Sequence, residues 1–62
     1  MEIRIEHNGN TYKAMVDGDA TVSIYVNSVW AGNGTISAGR IECPAVLDEG
    51  AYEAIEAEIA SA

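Results

Sequence analysis

Glu2-Ile3-Arg4-Ile5-Glu6-His7-Asn8-Gly9-Asn10-Thr11-Tyr12-Lys13-Ala14-Met15-Val16 is the stretch on which the fold turns. Successive side chains of a strand point to opposite faces, so Ile3 and Ile5 share one face while Glu2, Arg4 and Glu6 share the other. Asn8-Gly9 follows where a two-residue hairpin turn needs positive φ twice, which Asn and Gly tolerate. Folding back about that turn sets Ile5 against Tyr12 and Ile3 against Ala14, giving one consistent apolar side. It also sets Arg4 against Lys13, a like-charge pair that costs stability unless Glu2, Glu6 or an outside carboxylate screens it.

Beyond this hairpin, Asp17-Gly18-Asp19 reads as the next turn and residues 20–26 as a third strand. Val22, Ile24 and Val26 fall on one face, and Thr21, Ser23 and Tyr25 on the other. Val29-Trp30-Ala31 and Thr35-Ile36-Ser37 flank Gly32-Asn33-Gly34, which is expected to be a second tight hairpin or an ordered loop. Residues 40–43 add a short extended piece before Pro44. The last element is expected to be a helix over about 48–60, with Asp48 as N-cap, Glu49 in the favourable field of the first turn, and Leu47 stapled on Tyr52. Tyr52, Ile55 and Ile59 then form an apolar stripe, Glu49, Glu53 and Glu56 lie together on another, and Glu58 projects from the opposite flank. The sum is a single small α+β domain over residues 1–62: an antiparallel sheet of three to five short strands within about 2–43, with one C-terminal helix packed on one face.

A chain of 62 residues buries only about 60% of its unfolded surface, and one core of this size supplies roughly 3–5 kcal/mol. The lone Cys43 excludes an internal disulfide, and with the lone His7 it cannot complete a four-ligand zinc site. Either packing suffices alone or the protein self-associates. A free thiol suits a reducing compartment, and the first six residues alternate charge with Ile where a secretion signal would place bases and an apolar run. The longest apolar runs are three residues, so no membrane span is expected. The expectation is a cytoplasmic protein of a prokaryotic cell.

Charge is the chain's most distinctive property. Residues 41–62 hold six carboxylates (Glu42, Asp48, Glu49, Glu53, Glu56, Glu58) and no Lys or Arg, and so carry six of the seven net negative charges. This balance argues against direct binding of nucleic acid or anionic lipid, both of which demand Lys and Arg. A solvated, solubilising face is the plain explanation. A helix built only for stability would, however, pair Glu with Lys at i,i+4 for a few tenths of a kcal/mol each, and this segment forgoes that gain.

Other constellations are weaker. Asp17-Gly18-Asp19 is a fragment of a calcium loop without its remaining ligands, and reads as a turn whose carboxylates extend the acidic surface if they lie on the helix side. Gly32, Gly34 and Gly39 fit no phosphate-binding spacing. Cys43 and His7 would make a nucleophile pair only if the fold joined them; Cys43 before Pro44 reads as a small buried hydrophobe and His7 as an exposed turn residue. Catalytic clefts are hard to enclose at this size, so no enzyme, cofactor or metal is expected. Trp30 is either core filling in a chain with no Phe or an interface anchor, and Tyr25 is exposed if it shares the polar face of Thr21 and Ser23.

In size, charge and the acidic segment from Asp48 to Glu58, the chain resembles the small acidic inhibitors that phages and mobile elements use against host nucleic-acid machinery, including anti-CRISPR proteins and DNA mimics. The resemblance implies carboxylates that occupy the Lys/Arg groove of a basic, nucleic-acid-binding host protein and exclude the nucleic acid. The residues it points to are Glu49, Glu53, Glu56 and Glu58, with Asp48, Asp17 and Asp19 beside them. The alternative is a small phage or prophage assembly module that forms homo-oligomers through a strand edge or Trp30.

Overall fold

The computed structural model describes residues 1–61. Five strands, β1 (Glu2–His7), β2 (Asn10–Val16), β3 (Thr21–Val26), β4 (Val29–Ser37) and β5 (Arg40–Glu42), precede one helix, α1 (Ala51–Ser61). The strands form an antiparallel meander in the order β1-β2-β3-β4-β5. The helix packs against both β1 and β5, the two edges, so the sheet curls around it. The α+β architecture with a C-terminal helix on one face is therefore as expected.

The opening hairpin has the expected register, with Ile5 opposite Tyr12, Ile3 opposite Ala14 and Arg4 opposite Lys13. Asn8 and Gly9 both take positive φ, the conformation a type I′ turn requires. The like-charge pair is relieved in two directions. Arg4 donates through Nε to the Glu2 carboxylate, and Lys13 leans away so that its Nζ sits 4.5 Å from the centroid of the Tyr25 ring.

The core lies between the inner sheet face and α1. Tyr12, Ala14, Val22, Ile24, Ala51 and Ile55 are buried, and Ile3, Ile5, Val16, Val26, Ile36, Ile41, Cys43, Leu47 and Ile59 pack around them. The period-2 faces of β2 and β3 thus supply the sheet side. On the helix, Ala51, Ile55 and Ile59 occupy successive turns of one stripe, because four residues advance about 400° at 3.6 per turn.

Three expectations about local structure are corrected. Gly32-Asn33-Gly34 is not a hairpin turn but the middle of β4. The reversals fall instead at Asn27-Ser28 and Ala38-Gly39, all four residues with positive φ. The pairing of β4 with β3 shifts between Ile24 and Tyr25, passing over Ala31 of β4, so that Trp30 stands opposite Tyr25. The connector from β5 to the helix then crosses the inner face of β4: a side-chain carbon at Gly32 would stand 3.3 Å from Ala45 Cβ, and one at Gly34 would collide with Glu42 and Cys43. Glycine is used here for space, not for turning.

The helix also begins later than expected, at Ala51. Asp48, Glu49, Gly50 and Ala51 form a turn closed by Ala51 N–H donating to Asp48 C=O at 3.0 Å, with Gly50 at φ 82°. This φ is open to glycine and strained for other residues. His7 is no exposed turn residue. It closes β1, half buried, with its ring against Gly50 and Nε2 2.7 Å from the Glu49 carbonyl oxygen. No helix among the described residues is long and apolar enough to cross a membrane.

Candidate functional site

The acidic residues singled out from the sequence do not form one surface. Asp48 and Glu49 sit where the helix meets the end of the sheet that carries the Asn8-Gly9 and Asn27-Ser28 turns. A hydrogen-bond relay fixes that end: Asn27 Oδ1 accepts from Thr11 N–H at 2.9 Å, Asn27 Nδ2 donates to Asn10 Oδ1 at 3.0 Å, and Asn10 Nδ2 donates to Asp48 Oδ2 at 2.7 Å. The Asp48 carboxylate is thereby taken by a side chain from β2, and it does not cap the helix as expected.

Asp17 and Asp19 lie at the opposite end of the strands, in the β2–β3 turn, so they do not join the acidity around Asp48 and Glu49. Both face Thr21, whose Oγ1 is 2.9 Å from Asp19 Oδ1 and 3.3 Å from Asp17 Oδ2. The Thr21 hydroxyl, then the Thr21 N–H, hold the Asp19 carboxyl below its ordinary value. Its contribution to the turn is present above the usual Asp range and is lost as pH falls through the lowered value. These two residues build a turn.

Glu56 is the largest departure. Only 14% of its side chain is exposed, and its carboxylate accepts the Ile41 N–H at 2.8 Å while standing 3.5 Å from Arg40 Nε. The edge strand β5 is thus closed by a helix side chain, which answers the open-edge problem of a sheet. The carboxylate expected as a partner contact is engaged within the fold. Glu56→Ala should cost about 1–3 kcal/mol, the price of stranding a part-buried donor, whereas Glu56→Gln keeps an acceptor and should cost less. Urea unfolding of the two variants checks this ordering, and equal losses would assign the effect to the exposed Arg40 pair instead.

What remains of the acidic helix is Glu49 in its leading turn, Glu53 and Glu58. All three are exposed, and no base among the described residues pairs with their side chains. At 100° per residue Glu53 and Glu58 point 140° apart, with Ala57 between them on the outermost line. The carboxylates therefore flank the helix from its first turn to its third and do not form a continuous ridge. Glu6 and Glu42 are likewise exposed and unpaired among the described residues, so the uncompensated charge spreads over a body of 29 × 21 × 18 Å.

The opposite face of the sheet is a second candidate surface, on which Trp30 and Tyr25 were expected as possible contacts but Arg4 and Lys13 were not. Arg4, Lys13, Tyr25 and Trp30 stand opposite one another in turn and make one row across β1 to β4. Trp30 is 56% exposed, with Nε1 donating to Asn33 Oδ1 at 2.9 Å, so it is not core filling. Tyr25 is half buried under Lys13. The signal that marked this row was the Arg4–Lys13 register itself.

Cys43 is half buried against the core. Neighbouring Tyr52 donates its hydroxyl to the Ala45 carbonyl, and burial, with Cys43 beside it, pushes the phenol well above its ordinary value. Both side chains anchor the connector. Among the described residues no three His, Cys, Asp or Glu side chains converge to hold a metal ion. Comparison with protein-family models, with curated proteins and with solved structures returns no match.

Proposed function

We propose that this domain is a non-enzymatic protein-binding inhibitor whose acidic side occupies the nucleic-acid groove of a basic host protein, in the manner of anti-CRISPR proteins and DNA mimics. One observation carries the reading: Glu49, Glu53 and Glu58 are exposed and unpaired among the described residues on an element locked to the sheet. Carboxylates held on a rigid body keep their spacing in the encounter, and a net charge of −7 steers a basic partner toward them. Asp48, Asp17, Asp19 and Glu56 are set in place by intramolecular bonds and contribute field, not contacts.

The test begins with basic proteins retained by the domain at low salt and eluted with a salt gradient. Each is then assayed for nucleic-acid binding with the domain present. The parent should displace the nucleic acid. The Glu49→Lys/Glu53→Lys double variant should bind about two orders of magnitude more weakly with an unchanged melting temperature, since like charges brought face to face cost several kcal/mol. Displacement by the double variant at the parent's concentration would remove the reading.

A second reading is favoured by Trp30, which is 56% exposed on the outer sheet face opposite Tyr25: an assembly module that pairs copies through this face. Sedimentation separates the two, because an apolar homo-oligomer persists in high salt while an electrostatic complex does not.

A further inference from the structure

The sheet face turned away from the helix carries a concavity of ≈ 80 Å³ lined by Arg4, Thr11, Lys13 and Ser28. Every one of these side chains ends in a hydrogen-bond donor. Arg4 commits only Nε, to Glu2, while the Lys13 ammonium and the Thr11 and Ser28 hydroxyls make no hydrogen bond among the described residues. Two of the chain's three bases thus line one small space with two hydroxyls, Arg4 turned at Nε to Glu2 and Lys13 resting over Tyr25 within reach of it. Ser28 moreover holds φ 71°, at a turn position where glycine is the unstrained choice.

From this donor set we infer a binding site for a single phosphate-type oxyanion, a function separate from the acidic side and independent of the inhibitor reading. Guanidinium and ammonium groups with hydroxyls beside them match an anion with several acceptor oxygens. The carboxylates nearest the site are Glu2, already paired with Arg4, and Glu6, cross-strand from Thr11. They balance the two bases, so affinity must come from direct hydrogen bonds and not from field, and a polyanion is repelled by the net charge of −7. Tyr25 and Trp30 extend the row from Lys13 by one and two strands, at about 5 and 10 Å. An aromatic ring attached to the phosphate through a sugar can reach that surface.

The intact domain is titrated with inorganic phosphate, with a nucleoside monophosphate and with the same nucleoside lacking phosphate, while amide shifts of Thr11, Lys13 and Ser28 and the fluorescence of Trp30 are followed. Both phosphate-bearing probes should give saturable shifts and the bare nucleoside none. A monophosphate at least about fivefold tighter than phosphate places the ring on the aromatic surface, and equal affinities assign the site to free phosphate. Lys13→Met should abolish the shifts. Ser28→Gly should weaken binding about tenfold, the worth of one hydrogen bond to a charged group, with an equal or higher melting temperature because the strained φ is released. No saturable shift from either phosphate-bearing probe, or parental affinity in both variants, overturns the assignment.

Discussion

Replacing Ile55 by alanine is expected to abolish cooperative folding at room temperature. Ile55 is fully buried, on the stripe that faces Tyr12, Val22 and Ile24. Truncating a buried isoleucine to alanine costs about 2–5 kcal/mol through lost transfer energy and the cavity left behind. A core this small provides roughly 3–5 kcal/mol in all. The helix has no reserve of its own: it is 11 residues long, below the roughly 12–15 at which isolated helices become even marginal. It also carries no i,i+4 Glu–Lys pair. Ile55→Val, at about 0.5–1.5 kcal/mol, should keep a single transition at a lower midpoint. Circular dichroism through a urea series reads both, and an alanine variant whose urea midpoint stays close to the parent's would place the stabilising contacts elsewhere.

The same dependence explains which parts of the molecule could be read from the chain. β1, β2 and β3 announce themselves because alternation, Asn8-Gly9 and the β-branched run at 21–26 act within a few residues of one another. Features set by distant partners do not. Asp48 has the chemistry of a cap, but its acceptor oxygen is claimed by Asn10, 38 residues earlier. Glu56 follows Ile55 at the margin of the apolar stripe, and only the position of the unpaired Ile41 N–H turns it inward. The candidate acidic surface was legible as composition and not as shape, since charge can be counted along a chain while its direction depends on what each carboxylate finds to bond.

Gly34→Ala is the second substitution expected to have a large effect, and it shows how a glycine can be misread. Glycines at 32 and 34 around Asn33 suggest a turn because glycine permits unusual φ, yet positive φ is found at neither. Their role is to leave the inner face of β4 bare so that the connector out of β5 can lie on it. A methyl group at position 34 would run into the Glu42 carbonyl oxygen and stand 2.8 Å from both Cα and Cβ of Cys43. The obstacle is largely backbone, which cannot rotate aside, so β5 and the connector must lift from β4. That movement also breaks the Glu56 bond to Ile41 and draws Tyr52 from Ala45. Overpacking alone costs about 1–3 kcal/mol, and the lost bonds add to it, a total comparable to the roughly 3–5 kcal/mol such a core supplies. Gly32→Ala is the matched control. Its new carbon would meet the Ala45 side chain at 3.3 Å, a contact relieved by a few tenths of an ångström, so it should lower the urea midpoint only slightly. Hydrogen exchange at Ile41 should collapse to the unprotected rate in the Gly34 variant and stay protected in the Gly32 variant. Equal protection in the two would mean that the connector does not need the bare face, and that β5 is held by the helix alone.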